Sequence, residues 1–256
     1  MDLSLIARLN KEFSQASSQQ YLIQKDSCEQ LTEAQRKAWS QILSSAATAE
    51  GEEESMVRPL KEFFAANPDL KEYIEFHAQD EHRHAQLLRD YIFKIFQYTK
   101  KKRTITDRIV YDFLFQKIKA LASHRPLPFL TTLYFYELYA EEFYSQLKKQ
   151  SQHFKMPYLF ELFSVIQKDE LRHIAGLKAL IQIWQQKKWP VSRMDLALTK
   201  LLMMIVRFDV NTSWWAFYNK KLRRNMITLG LDPQFFYQES NRHAKNSYEK
   251  FRELRG

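Results

Sequence analysis

Asp80-Glu81-His82-Arg83-His84 and Asp169-Glu170-Leu171-Arg172-His173 are two copies of one word, Asp-Glu-x-Arg-His. Each copy contains Glu-x-x-His, and on a helix residues i and i+3 project from one face, so a carboxylate and an imidazole can grip the same ion. With 19 Glu and 7 His in 256 residues, chance supplies roughly half an occurrence of Glu-x-x-His but only roughly 0.001 of the five-residue word. The duplication is therefore signal, and two copies imply two metal ions.

Both words sit inside amphipathic helical patterns. Asn67-Pro68 reads as an N-cap and first helical residue, and the helix after it carries Ile74, His77, Glu81, His84, Leu88 and Tyr91 on one face. A helix from near Pro157 repeats the design with Leu159, Phe163, Ile166, Glu170, His173, Leu177 and Leu180. Each motif thus lies on an apolar stripe, where an unligated carboxylate would be costly to bury. Upstream of each is a further helix with an inward Glu. Thr32 and Gln35 have capping-box spacing before Trp39, Leu43, Ala46 and Glu50, while Leu130, Leu133, Tyr134, Glu137, Glu141 and Tyr144 share a face after Pro126 and Pro128. One Glu from each of two helices and one Glu-x-x-His from each of two others is the ligand pattern of a di-metal four-helix bundle.

Only 4 Gly occur and turn dipeptides are scarce, so the fold is expected to be all-α. Three regions are expected: an N-terminal helical arm over 1–31, a bundle over 32–187 with a long crossover helix at about 105–122, and a helical extension over 188–256. A basic loop, Lys100-Lys101-Lys102-Arg103, precedes the crossover. One cysteine, Cys28, excludes an internal disulfide and any four-cysteine iron site. With no signal-like N-terminus and no apolar run of spanning length, a cytoplasmic location is expected.

Four carboxylates and two imidazoles can hold two divalent ions, and mixed ligation of this kind suits iron, with manganese and iron together as the alternative. Glu50, Glu81 and His84 are expected at one metal and Glu137, Glu170 and His173 at the other, with Glu81 and Glu170 bridging. Glu53 and Glu54 are substitutes for Glu50, and Glu141 for Glu137. A metal-bound His donates its second ring N–H to an acceptor; in a two-fold bundle Asp80 would serve His173 and Asp169 would serve His84, with Arg83 and Arg172 pairing the aspartates. His77, one turn before Glu81, is either a core histidine or a seventh ligand. Tyr91, Tyr134 and Tyr144 read as core aromatics before they read as relays.

These six ligand positions and their aspartates resemble the ferritin-like di-iron carboxylate superfamily over about Thr32 to Lys187, and the Asp-Glu-x-Arg-His form is most similar to its oxygen-activating branch. The resemblance implies a ferritin-like bundle that uses O2 and an external electron donor, such as a ferredoxin or reductase, to hydroxylate, N-oxygenate or desaturate an organic substrate, free or carrier-bound. It also implies catalytic tuning by Glu141, where related hydroxylases place Thr, or by His77. Leu88 occupies the place of the radical-forming Tyr of the reductase branch, which disfavours a stable tyrosyl radical there. Rubrerythrin-like peroxidases usually carry a four-cysteine module that this sequence lacks, yet a peroxide-scavenging or metal-handling relative remains the alternative.

The net charge of +9 is concentrated C-terminally, with 14 Lys plus Arg against 6 Asp plus Glu from Lys187 to Gly256. A solvated face is the first explanation for such charge. An acidic carrier or donor protein is the second, and RNA the third, with Trp214, Trp215, Phe235, Phe236 and Tyr237 as stacking candidates and a tRNA-modifying hydroxylase as the corresponding function. A monomer or homodimer is expected.

Overall fold

The computed structural model describes residues 3–17, 26, 28–97, 124–212 and 217–253, and among them every regular element is a helix. In chain order these are α1 (Ser4–Ser17), α2 (Glu33–Val57), α3 (Leu60–Phe63), α4 (Pro68–Phe96), α5 (Pro126–His153), α6 (Pro157–Gln186), α7 (Arg193–Thr212), α8 (Phe217–Thr228) and α9 (Pro233–Glu253). The expected crossover helix and the basic loop before it lie outside the described residues.

The helix starts follow from local chemistry. Thr32 accepts from the Gln35 N–H while the Gln35 side chain accepts from the Thr32 N–H, a complete capping box. Asn67 accepts from the Leu70 N–H ahead of Pro68, and α5 and α6 also open on proline, whose missing N–H costs nothing in a first turn. Ser192 and Asp195 exchange the same reciprocal bonds before α7, and Arg125 grips both, tying the starts of α5 and α7 together.

Two antiparallel pairs make the bundle. Along α2 and α4, Glu54 meets His82, Glu50 meets His84 and Ala47 meets Arg89; along α5 and α6, Glu137 meets His173 and Glu141 meets Gln167. The pairs join through α4 and α6, where Arg83 reaches Asp169. Apolar side chains fill the bundle on either side of these polar residues. One core cluster gathers Leu9, Phe13, Tyr73, Leu133 and Leu177, and the other Trp39, Leu43, Leu88, Tyr144 and Phe163. A polar layer held between two dry ones is shielded from water at both ends.

One close approach depends on glycine. A Cβ at Gly176 would fall well under 3.0 Å from the Tyr73 ring, so the bare backbone of α6 lets that buried phenol reach the His173 carbonyl at 3.0 Å. The outer helices pack on this frame. Phe13 of α1 stacks on Phe76 and on the His173 ring, Asn225 of α8 donates to Gln41, and Lys250 of α9 donates to Tyr134. Asp26 reaches across the bundle end to cap α6, accepting from the Tyr158 and Leu159 N–H groups and from the Tyr91 hydroxyl. No helix among the described residues is long and apolar enough to cross a membrane.

Candidate metal centre

Two groups of ligand atoms converge at mid-bundle: His77, Glu81, Glu137 and His173 form one, and Glu50, Glu81, His84 and Glu170 the other. All seven side chains are buried. Glu81 belongs to both groups. Glu170 also spans them, with Oε1 at 3.5 Å from His84 Nδ1 and Oε2 at 3.8 Å from His173 Nδ1. Within the first group His77 Nε2 lies 2.5 Å from Glu137 Oε1 and His173 Nδ1 lies 2.9 Å from Glu81 Oε1. Within the second, His84 Nδ1 lies 3.1 Å from Glu50 Oε2.

The far nitrogens of two imidazoles meet the aspartates of the repeated word, crosswise. His84 Nε2 is 3.1 Å from Asp169 Oδ2, and His173 Nε2 is 3.5 Å from Asp80 Oδ2. Arg83 contacts both aspartates at 2.5 and 2.6 Å, and Arg172 likewise contacts both. The pairing leaves Nδ1 of each imidazole facing the carboxylates, the arrangement that fixes the tautomer of a metal ligand.

Burial and mutual repulsion distort the acid–base behaviour of the cluster. Burial and the Glu81 charge push the Glu50 carboxyl up to about 8. Burial and Glu137 act on Glu81 in the same direction, yet bonds and charge from His173 and His77 hold it down at about 2. Burial works against the His84 cation, but Asp169 and Glu50 raise that imidazole to about 10. Glu170 is pushed well above the carboxylate range by burial and Glu137, and for Glu137 the two histidines outweigh burial and lower it. Carboxylates and imidazoles thus share protons at a site where cations would replace them.

The residues fit such cations. His77 Nε2, both oxygens of Glu81, Glu137 Oε1 and Glu170 Oε1 are buried atoms crowded together within ion-pair distance but not aligned for well-formed hydrogen bonds, and a buried polar atom left unsatisfied costs about 1–3 kcal/mol. Bound metal ions satisfy such atoms together.

His77 enters the cluster rather than serving as a core histidine; its other nitrogen lies 3.5 Å from the Tyr73 hydroxyl, and its ring stacks on His173 at 3.9 Å. Glu50 is in the cluster and Glu53 does not replace it: Glu53 is also buried, one turn on, and is raised by burial and by Glu137. Glu54 pairs with Arg58 and His82 at the surface. Glu141 lies outside both groups, half-buried and accepting from Gln167 at 2.9 Å. Its carboxylate is engaged by Gln167 of α6 instead.

Tyr73, which no sequence motif singles out, and Tyr144, which the sequence reads first as a core aromatic, are both hydrogen-bond partners of the site. The Tyr144 hydroxyl donates to Glu50 and the Tyr73 hydroxyl to the His173 carbonyl. Tyr144 lies two turns after Glu137 on the same face, which is the signal that marks it. Of the aromatic residues suggested for RNA stacking, Phe236 is buried against Tyr139 and Phe143, and Trp214 and Trp215 lie outside the described residues.

The fold is similar to that of an R2-like ligand-binding oxidase with aerobically reconstituted Mn/Fe cofactor, at TM-score 0.65 and 17% identity over 98% of this chain and 94% of that one. Two mutants of such oxidases, also with aerobically reconstituted Mn/Fe cofactor, match at TM-score 0.64 and 16% and 15% identity over 98% of this chain, covering 95% and 94% of theirs. No curated protein matches the chain in sequence. The rubrerythrin family profile matches residues 41–181, more than half of the chain and all seven converging side chains; a ferritin-like protein with buried Glu and His groups able to bind two metals, the chain belongs to the rubrerythrin family.

Proposed function

We propose that the protein is an O2-dependent oxidase or oxygenase in which Glu50, Glu81, His84, Glu137, Glu170 and His173, joined by His77, hold two iron ions or one manganese and one iron. The observation that carries this reading is the pair of buried four-residue groups sharing Glu81. When bound, the metals supply redox chemistry with dioxygen that amino-acid side chains cannot perform. The protein's own part is to bind, orient and exclude water. Asp80 and Asp169 fix the imidazoles of His173 and His84, Glu81 and Glu170 span the two positions, and the flanking apolar clusters keep the centre dry. The proposed substrate is a small organic molecule, with electrons from an external donor.

The family match favours a second reading, reduction of peroxide. Metal content and oxidant choice separate the possibilities. Protein reconstituted anaerobically with iron(II), alone and with manganese(II), is expected to retain two metals per chain and to oxidise on admission of air, with a change in its absorption spectrum; rapid oxidation by hydrogen peroxide and none by air would establish the second reading. The Glu81→Ala variant is expected to lose both metals, since both groups share that residue. Retention of two metals by that variant would overturn the assignment.

A further inference from the structure

We propose that the exposed face of α8 is the docking surface for an acidic one-electron donor protein. The use of that electron rests on the oxidase reading, while the surface itself stands on α8 alone. Lys220, Arg223, Arg224 and Ile227 are all exposed, and their spacing of i, i+3, i+4 and i+7 puts them on one stripe of the helix. Asn225 and Met226 are buried on the other side. Several exposed cations elsewhere have a carboxylate one turn away along the chain, as Arg8 has Glu12, Arg58 has Glu54 and Lys245 has Glu249. By contrast α8 contains Lys220, Lys221, Arg223 and Arg224 and no acidic residue, and Lys220, Arg223 and Arg224 form no ion pair with a described residue. Like charges three and four residues apart weaken a helix by about 0.2–0.5 kcal/mol per pair, a cost that a merely solvated face has no need to carry. Ile227 stands 58% exposed on the same stripe. A lone exposed isoleucine is ordinary, but beside unpaired arginines it adds the apolar contact around which protein interfaces are built.

Charge sets the sign of the partner, and the surroundings set its kind. A cationic stripe steers an anionic surface toward it at long range. RNA would call for rings on which bases stack, and the stripe has none; an anionic membrane would call for a broad apolar face, and the stripe offers one isoleucine. An acidic protein calls for the mixture present. The position of α8 selects the cargo. Asn225 donates to Gln41 at 2.6 Å, and Gln41 precedes Glu50 on α2 by nine residues, about 14 Å along the axis. On the inner side of α8, Met226 shares an apolar cluster with Trp39, Leu43, Tyr144 and Phe163. A carrier-bound substrate cannot pass through so close-packed a layer, whereas an electron can cross it. Each docking event passes one electron to the centre and leaves the donor oxidised by one, so two events return two oxidised ions to the divalent state. No bond or proton is exchanged at the interface.

The test takes as its probe an acidic plant-type ferredoxin with a two-iron, two-sulfur cluster. Its binding to full-length, metal-free protein is followed by fluorescence anisotropy at low salt, so failure of the docking surface is distinct from failure of the oxidase reading, which metal content decides separately. Reversing the stripe with Lys220→Glu, Arg223→Glu and Arg224→Glu together is expected to weaken binding by at least about 10-fold. The milder pair Arg223→Gln and Arg224→Gln should fall between, and Ile227→Ala should weaken binding at an unchanged salt dependence. An equal charge change at the opposite end of the bundle, Lys71→Glu, Lys178→Glu and Lys187→Glu, all exposed, should have a much smaller effect. With metal-loaded protein, the triple reversal on α8 should slow reduction by reduced ferredoxin by a similar factor and leave reduction by dithionite unchanged. Absence of ferredoxin binding, equal loss in both triple variants, or binding without electron transfer overturns the proposal. So does tighter binding of a single-stranded RNA or of phosphatidylserine vesicles that is lost with the stripe, which would reassign the face.

Discussion

Replacing Gly176 by alanine sets two opposing effects against each other at a position that supports the metal centre. In an unencumbered helix interior the change stabilises, because alanine is the better helix former by about 1 kcal/mol. Here the new methyl would fall well under 3.0 Å from Cε2, Cζ and the hydroxyl of Tyr73. That ring is fully buried and packed edge-on against Phe13 and His77, so it has little room to withdraw. Overpacking costs about 1–3 kcal/mol, and the Tyr73 bond to the His173 carbonyl, worth about 0.5–1.5 kcal/mol, is lost with it. Set against the helix gain, Gly176→Ala is expected to destabilise by about 2 kcal/mol net. Urea unfolding of the metal-free protein reads this as a lower midpoint at unchanged slope. Combining Gly176→Ala with Tyr73→Leu removes the ring that clashes, so the alanine should then be neutral or stabilising, a strongly non-additive pair. A single variant as stable as the parent, or more so, would refute the steric reasoning.

Protonation gives a second expectation. Glu50 has an ordinary value of 4.5 and is raised to about 8, so in the folded state it holds a proton that the unfolded chain has released; its contribution to stability falls as pH rises through that window. His84 is raised from 6.5 to about 10, and its contribution, complete below 6.5, is lost as pH rises through 10. Glu81, lowered to about 2, contributes above 4.5 and loses that contribution toward pH 2. The metal-free protein is therefore expected to lose stability between about pH 6 and about pH 9, measured by urea midpoints, and a midpoint that rises over this range would contradict the assignment. Metal binding must displace the Glu50 and His84 protons, so metal affinity should increase with pH over the same range, with proton release detectable by calorimetry in two buffers of different ionisation enthalpy. Asp169→Asn, which removes the carboxylate from His84 and from two arginines, should weaken metal binding by about 10–100-fold in chelator competition. Asp26→Ala deprives two α6 N–H groups and the Tyr91 hydroxyl of their acceptor and should cost about 1–3 kcal/mol in urea unfolding, whereas Tyr91→Phe, which leaves the cap, should cost about 1 kcal/mol.

What the sequence determined by itself is what local chemistry controls. The caps at Thr32, Asn67 and Ser192 and the prolines at 68, 126, 157 and 233 place helix starts because they act within one turn of chain. The i to i+3 spacing puts Glu81 with His84, and Glu170 with His173, whatever the helices later meet. The duplicated word even carries the crosswise relation of each aspartate to the other copy's histidine, because two-fold repetition constrains geometry beyond a single helix. Tertiary structure decided the remainder: that His77 joins Glu137, that Glu53 is buried beside Glu50 without replacing it, that Glu141 turns to Gln167, that Tyr144 donates to Glu50, and that Asp26 caps a helix more than a hundred residues away in sequence. Each depends on the axial stagger and rotation of neighbouring helices, which interdigitating side chains such as Tyr73 against Gly176 set. A shift of one turn, about 5.4 Å, would exchange every one of those partners while leaving each helix, read alone, unchanged.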